Sequence, residues 1–342
     1  MVCYITAMKP VIFGLSGLTL TPDERDFFRD ADPLGYILFK RNCGDRAQMR
    51  ALTDSVRELS GGADVPILID QEGGRVARMQ PPEWPAFPAG EAFDRLYDVA
   101  PISAIEAAQS SAHALGMMLA EVGVNVDCAP LLDVRQPDGT PAIGDRAFGS
   151  EPMRVSALGQ AMLEGLRRAG VVGVVKHMPG HGRARVDSHL ELPRVTADAA
   201  ALEVDLEPFI RLNDAPMAMT CHLVFDAWDP HHPATQSPTV IADIIRGRIG
   251  FDGLLMTDDI DMKALSGTPG EKARTALAAG CDVILDCWAR MDEMIEIAGL
   301  LPDATPECLA RLERAMATVA GTPEPADFAE LIAKRDALLA LA

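Results

Sequence analysis

Val171-Val-Gly-Val-Val-Lys-His-Met-Pro-Gly-His-Gly182 joins an apolar run to a glycine-rich loop that carries a lysine and two histidines. A continuous run of valines is typical of a strand buried on both faces of a sheet. The loop that follows contributes little apolar surface to a core, and its glycines make it entropically costly to order. An aspartate and a third histidine come soon after, in Asp187-Ser-His189. We therefore interpret the stretch as a buried parallel strand followed by a loop that carries chemistry.

Seven further apolar runs have the same character, and helical patterns separate them. The eight runs span residues 11–15, 35–39, 65–70, 122–127, 171–176, 217–222, 253–258 and 281–286. The amphipathic stretches span residues 46–59, 102–120, 153–169, 197–212, 238–248, 268–279 and 289–300. Eight strands alternating with helices predict an α/β fold, a single (β/α)8 TIM-type barrel with extra C-terminal helices. The main alternative, a doubly wound open sheet, normally uses fewer strands and a phosphate-binding glycine loop, which Gly14-Leu-Ser-Gly17 does not provide.

The pattern also suggests boundaries within the chain. We expect the catalytic barrel at residues 9–303 and two helices packed on it at residues 304–342, with a turn between them at Pro323-Glu-Pro325. We expect residues 1–8 to form a disordered extension, with Met8 as an alternative start. This segment lacks the charged and apolar regions of a signal peptide.

Composition narrows the class of partner. The chain has 342 residues and a net charge of -19, which argues against nucleic acid and anionic membrane surfaces. No apolar run approaches the length of a membrane span. The seven cysteines are scattered and form no CxxC pair, so we expect reduced thiols and a cytoplasmic location. No apolar helix face is left over, which favours a monomer.

Ionisable residues end most of the predicted strands. They are Asp70, Asp127, Lys176, His177, His222, Asp258, Asp259 and Asp286. A charged group at the end of a buried strand is unfavourable unless it is paired or used, and barrels of this type carry their active site at the C-terminal ends of the strands. We expect Asp127, Asp133 and Asp286 to be structural partners of loop backbones.

Two kinds of chemistry fit such residues. His177 and His181 are four residues apart, but the proline and glycines nearby rule out the helical geometry of zinc helices, so we expect no metal. Asp258 and Asp259 follow an apolar strand, where a carboxylate could serve as a nucleophile of the kind that retaining glycosidases use. The same pair could instead cap the next helix, and both interpretations hold if Asp258 is catalytic and Asp259 or Asp261 is structural.

At these residues the chain resembles glycoside hydrolase family 3, and within it the bacterial cytoplasmic β-N-acetylhexosaminidases. The motifs that carry the resemblance are, in order, Gly35-Tyr-Ile-Leu-Phe-Lys-Arg-Asn42, Asp70-Gln-Glu-Gly-Gly-Arg-Val-Ala-Arg78, Asn125-Val-Asp-Cys-Ala-Pro-Leu-Leu-Asp133, Ile143-Gly-Asp-Arg-Ala-Phe-Gly149, Lys176-His-Met-Pro-Gly-His-Gly182, Asp187-Ser-His189 and Gly253-Leu-Leu-Met-Thr-Asp-Asp259. Each motif alone is moderate evidence, whereas their order and spacing together are specific.

The resemblance implies a retaining exo-β-N-acetylglucosaminidase in which Asp258 is the nucleophile, His189 the general acid/base and Asp187 the residue that orients His189. It implies that the terminal N-acetylglucosamine is held by Asp70, Arg78, Arg146, Lys176 and His177. It implies no metal or organic cofactor. The implied substrate is a muropeptide, N-acetylglucosamine linked to 1,6-anhydro-N-acetylmuramic acid with or without peptide, and the implied role is peptidoglycan recycling.

The sequence departs from the family pattern at two places and leaves alternatives open. Many relatives carry Asp-Thr where this chain has Arg183-Ala184, which puts the anchoring of the loop in question, and Met178 replaces an aromatic residue. A β-glucosidase or a glycoside phosphorylase on the same fold would also fit the motifs. A metal-dependent amidohydrolase and a non-enzymatic sugar-binding barrel are more distant alternatives, and the intact Asp258, Asp187 and His189 argue against the latter.

Overall fold

The strands of the computed structural model, which describes residues 8–62, 64–188, 190–321 and 323–342, form a closed barrel and one small sheet. The strands are β1 (Lys9–Gly14), β2 (Pro33–Leu38), β3 (Ile67–Ile69), β4 (Val126–Asp127), β5 (Val172–Met178), β6 (Arg194–Val195), β7 (Met217–Thr220), β8 (Val224–Phe225), β9 (Leu254–Asp259) and β10 (Val283–Asp286). The barrel is parallel throughout, in the order β1-β2-β3-β4-β5-β7-β9-β10 and back to β1, while β6 pairs with β8 outside it. The predicted eight-stranded barrel is confirmed. The N-terminal residues 1–7 lie outside the described residues.

Helices cover the outside of the barrel. They are α1 (Pro22–Ala31), α2 (Arg46–Ser60), α3 (Gly90–Val99), α4 (Pro101–Glu121), α5 (Pro152–Arg168), α6 (Ala199–Arg211), α7 (Pro269–Ala279), α8 (Met291–Leu300), α9 (Pro306–Ala317) and α10 (Phe328–Leu339), with a π-helix at Val240–Ile249. Thr21 and Thr268 begin α1 and α7 with capping boxes, which satisfy backbone N–H groups that a helix start leaves unpaired. In the described part of the chain, no helix is both long and apolar enough to cross a bilayer.

Strand side chains alternate between two apolar cores because successive residues of a strand point to opposite faces. Val11 and Phe13 face the helices, whereas Ile12 faces the barrel interior with Leu68 and Val126. Helix α9 closes the N-terminal end of that interior, where Cys308 and Ala315 are buried against the inward-facing strand residues. Helix α10 packs instead on the outside, against α4. The N-terminal end of the barrel is thus closed by α9. A site can form at the opposite end, where the strands have their C-terminal residues.

The packing inside the barrel predicts that truncating a buried isoleucine lowers the free energy of unfolding much more than truncating an exposed one. Ile12 is 1 % exposed inside the barrel, so Ile12→Ala removes buried methylene groups and leaves a cavity, which should lower the free energy of unfolding by about 3 kcal/mol. Ile102 on α4 is 82 % exposed, and Ile102→Ala should change stability by less than about 0.5 kcal/mol. Urea unfolding measures both. Equal losses in the two variants would contradict a close-packed barrel interior.

Candidate active site

A cleft of about 570 Å³ opens where the barrel strands end. The structure describes seven of the eight predicted site residues, and all seven line this cleft: Asp70, Arg78, Arg146, Lys176, His177, Asp187 and Asp258. The eighth, His189, lies outside the described residues. The strands bring together residues as far apart in sequence as Asp70 and Asp258 because the C-terminal ends of parallel strands meet at one end of the barrel.

A buried ion network forms one wall of the cleft. Lys176 at the end of β5 lies with its Nζ atom 3.0 Å from Oδ1 of Asp70 and 2.6 Å from Oε1 of Glu72. Arg78 donates to Asp70 at 2.9 Å. Arg146 donates two hydrogen bonds to Glu72, at 2.8 and 2.7 Å, in the bidentate geometry that is strongest for guanidinium and carboxylate. Three cations therefore hold two carboxylates in fixed positions.

The network keeps all of its members charged. Burial by itself would raise the pKa values of Asp70 and Glu72, but Lys176 and the arginines outweigh it, so the pKa of Asp70 lies far below its ordinary value and that of Glu72 falls to about 2. Burial acts to lower the pKa of Lys176, yet the two carboxylates raise it above its ordinary value. Both carboxylates are thus hydrogen-bond acceptors at neutral pH.

Glu72 is the residue of this network that sequence reasoning missed. It stands two residues after Asp70, and residues two apart in an extended segment face the same side. That spacing, together with the position after a strand, could have identified Glu72 as a site residue from the sequence. Its role also explains why Arg146 belongs to the site, since Glu72 is the carboxylate that orients the guanidinium.

Asp133 organises the start of the loop after β5. It is fully buried and accepts hydrogen bonds from Nδ1 of His177 at 2.7 Å, from the His177 backbone N–H at 3.2 Å and from the His181 backbone N–H at 2.6 Å. Burial opposes ionisation of Asp133, but the two histidines and these hydrogen bonds lower its pKa to about 2. An ionised Asp133 makes Nδ1 of His177 the donor, which fixes the tautomer and the orientation of that imidazole.

His181 does not line the cleft. Its Nε2 atom is 3.3 Å from Oγ of Ser188, and burial followed by the proximity of His177 lowers its pKa to about 4. A neutral His181 thus connects the beginning of the loop to the residue that follows Asp187. Among the described residues, no three histidine, cysteine or carboxylate side chains are grouped to hold a metal ion.

The adjacent carboxylates at the end of β9 both line the cleft but have different hydrogen-bond partners. Asp258 lines the cleft, and its pKa lies below its ordinary value because His177, His222 and the N–H of Asp259 outweigh the effect of burial. Asp259 turns towards β10, where its Oδ2 accepts a hydrogen bond from the indole of Trp288 at 3.1 Å. Burial raises the pKa of Asp259 to about 6. Asp258 is the better ionised of the two.

The two strand-end aspartates that we expected to be structural stay away from the cleft lining. Asp127 accepts a hydrogen bond from the backbone N–H of Gln71 at 3.0 Å, which fits that expectation. Asp286 is buried, and its Oδ2 atom has no partner. Burial, followed by the nearby Asp259 and Glu293, raises the pKa of Asp286 to about 7.

Arg183 supplies the anchor that its departure from the family pattern put in question. Its Nε atom donates to Oδ2 of Asp205 on α6 at 2.5 Å, and its Nη2 atom donates to the carbonyl oxygen of Ala201 at 2.9 Å. The carbonyl oxygen of Ala184 accepts from the N–H of Thr140 at 2.7 Å. Residues 181–184 are therefore held from two sides, by α6 and by the loop after β4.

The chain has relatives among known proteins. Residues 22–320 match the glycosyl hydrolase family 3 N-terminal domain. A β-hexosaminidase of Chromobacterium violaceum is 37% identical over 334 residues, which cover 96% of this chain and 91% of the relative. A β-hexosaminidase of Aromatoleum aromaticum is 36% identical and covers 90% of this chain and 87% of its own length. The structure of NagZ from Neisseria gonorrhoeae in complex with N-trifluoroacetyl-D-glucosamine superposes with a TM-score of 0.85 at 29% identity, covering 98% of each chain.

The ion network predicts a pH-dependent stability loss for Lys176→Met. Without the lysine, Asp70 and Glu72 lose the cation that they share, and the free energy of unfolding should fall by about 3 kcal/mol at pH 7. In the wild type the lowered carboxyl pKa values contribute stability above about pH 4, and this contribution is lost as the pH falls through the folded-state values. In the variant the carboxylates take up protons more readily, so the difference from the wild type should narrow at pH 4.

Urea unfolding at pH 7 and pH 4 measures this difference. Lys334→Met is the matched control, because Lys334 forms a half-exposed ion pair with Glu106 and should change stability by less than about 1 kcal/mol at either pH. A loss in Lys176→Met that stays constant between the two pH values would show that its origin is not the charge of the buried carboxylates.

The anchor predicts a local effect for Arg183→Ala. Because this change leaves Asp205 buried without its cation, we expect backbone amides in residues 182–188 to exchange at least about tenfold faster, with a loss of about 2 kcal/mol in overall stability. Hydrogen exchange read by mass spectrometry measures the loop directly. Arg185→Ala is the control, since Arg185 is 76 % exposed and lies 3.8 Å from an exposed Asp138. The same exchange rates in both variants would refute the anchoring role.

Proposed function

Since the chain belongs to glycosyl hydrolase family 3, we propose that it is a retaining exo-β-N-acetylglucosaminidase that releases terminal N-acetylglucosamine through a covalent glycosyl-enzyme. The observation that carries the proposal is the cleft itself, where the carboxylate of Asp258 lies in one pocket with the Asp70–Lys176–Glu72 network and with Asp187. The names of the β-hexosaminidase relatives support the choice of sugar.

Asp258 is suited to the role of nucleophile by its charge. Its lowered pKa keeps it ionised at neutral pH, as an attack on an anomeric carbon requires. In the first step an oxygen of Asp258 forms a bond to C1 of the sugar while the bond from C1 to the leaving oxygen breaks. Asp133 orients His177, and the proximity of His177, His222 and Lys176 favours the ionised form of Asp258 before it attacks.

We assign proton transfer to His189 with Asp187. A protonated His189 gives its proton to the leaving oxygen, and neutral His189 then takes a proton from the water that attacks C1 and displaces Asp258. Histidine can do both because its pKa lies near the working pH. Asp187 lines the cleft two residues before His189, a position from which it could fix the imidazole tautomer.

The ion network is suited to hold a sugar ring. Ionised Asp70 and Glu72 are acceptors for hydroxyl groups, while Arg78, Arg146 and Lys176 are donors, and their mutual pairing fixes these groups before a ligand arrives. Cationic groups in a strongly acidic protein also favour a substrate that bears carboxylates. We therefore propose muropeptides as the substrate, processed by a monomer during peptidoglycan recycling in the cytoplasm. The free thiols of the described cysteines accord with a reducing compartment.

Hydrolysis of 4-nitrophenyl N-acetyl-β-glucosaminide tests the assignment. Asp258→Asn should lower kcat at least about 10⁴-fold because it removes the nucleophile, and His189→Ala should lower it by about 10²–10⁴-fold because it removes the proton transfer. His231→Ala is the control, since His231 is an exposed histidine outside the cleft lining and should retain wild-type rates. Proton NMR of the reaction should show the β-anomer of the product first.

Several outcomes would overturn this proposal. Full activity of Asp258→Asn would show that Asp258 is not the nucleophile. Initial release of the α-anomer would show that the reaction does not retain the configuration at C1. Faster cleavage of the matching β-glucoside would change the substrate class. A rate that depends on inorganic phosphate, with a sugar phosphate as product, would make the enzyme a phosphorylase.

A further inference from the structure

Trp288 presents an indole ring to solvent at the rim of the cleft. Its side chain lines the cleft and the residue is 55 % exposed, whereas Trp84 is buried and Trp228 is half-buried. A tryptophan offers the largest rigid apolar face of any side chain. Many of the other residues that line the cleft are charged. The proposed mechanism gives no role to this exposed apolar ring.

The structure fixes this ring rather than leaving it to rotate. The indole N–H donates to Oδ2 of Asp259 at 3.1 Å, and the guanidinium of Arg290 lies 5.9 Å from the ring centre. Arg290 is itself held by Asp261 at 2.5 Å. Ala289, the next residue, has a φ of 56°, a left-handed conformation that a non-glycine residue adopts only when its surroundings demand it. The ring is therefore pre-organised, which lowers the entropic cost of binding a ligand against it.

The position of Trp288 separates it from the sugar-holding network. The two carboxylates and the lysine of the network come from the ends of β3 and β5, whereas Trp288 follows β10, three strands away from each of them around the barrel. Asp258 lies between them, because it stands at the end of β9, which is between β5 and β10 in the barrel order, and it is the chain neighbour of Asp259, to which the indole binds. A sugar held by the network with its C1 atom at Asp258 would direct its leaving group towards the side of the cleft that carries Trp288.

We propose that Trp288 is the platform of a leaving-group subsite, on which a pyranose ring stacks by its apolar face. The inference rests on the proposed function and deepens it, since it makes a sugar the preferred leaving group. Stacking on an aromatic side chain discriminates between a ring and a small leaving group because only the ring covers the indole. Trp288 touches neither the nucleophile nor the sugar-holding network through any hydrogen bond among the described residues, and its effect should therefore depend on the leaving group.

The test compares two substrates that share N-acetylglucosamine and differ in the leaving group: N,N'-diacetylchitobiose and N-acetyl-β-glucosaminyl fluoride. Trp288→Ala should lower kcat/KM for the disaccharide by about tenfold or more. The fold decrease for the fluoride should be at least about five times smaller than that for the disaccharide. Trp288→Phe retains a ring but loses the N–H group, and should keep the disaccharide value within about threefold of the wild type. Ile295→Ala removes an apolar side chain that is 54 % exposed outside the cleft lining, and should leave the ratio of the two values unchanged.

Equal losses on both substrates would overturn the inference, because they would mean that Trp288 acts through Asp259. A Trp288→Phe variant that is as impaired on the disaccharide as Trp288→Ala would also overturn the inference, and so would a Trp288→Ala variant with an unchanged ratio of the two kcat/KM values. Wild-type enzyme that cleaves neither substrate would overturn the proposed function and this inference together. Wild-type cleavage of both, with an unaltered ratio in Trp288→Ala, would overturn the inference alone.

Discussion

The buried ammonium group of Lys176 is the constraint on which the site depends. A lysine at the end of a barrel strand, removed from water, is tolerated only because Asp70 and Glu72 contact it directly. Those carboxylates in turn require Arg78 and Arg146, which arrive from the segments after β3 and β4. Satisfying one buried charge thus positions groups from three separate parts of the chain. A cleft built in this way is ordered by its own electrostatics before any ligand enters.

Much of the barrel could be predicted because its pattern is local and repeated. Most of the apolar runs, such as residues 253–258, end in an ionisable residue, and each of the eight runs became a barrel strand. The stretch 238–248 shows the limit of this reasoning. Its apolar pattern predicts a helix, but the chain forms a π-helix that ends at Gly250, whose N–H reaches the carbonyl oxygen five residues back. Periodicity does not distinguish the two hydrogen-bond patterns.

The parts of the site that could not be predicted are long-range pairings. Asp133 was expected to satisfy loop backbone, yet it also sets the orientation of His177, because a single side chain reaches both the imidazole and two N–H groups. Arg183 was identified only as a departure from the family pattern. Its partner, Asp205, stands 22 residues away on α6, and no spacing rule connects a loop to the buried face of the next helix. Such contacts follow from how elements pack, and one sequence does not contain that information in readable form.

The anchoring of residues 181–184 has a consequence for how this enzyme could change over time. The stem of the loop is tied to α6 and to the loop after β4, whereas residues 185, 190 and 192 beyond it are exposed to solvent. Substitutions at residues 185, 190 and 192 therefore meet few packing requirements, while those in the stem disturb a buried charge. Natural variation, or a laboratory library, can sample new side chains at these exposed positions without dismantling the barrel beneath them. The loop thus combines positions that must be inherited, which are its stem and the Asp187 and His189 that we assign to proton transfer, with exposed positions that are free to diversify.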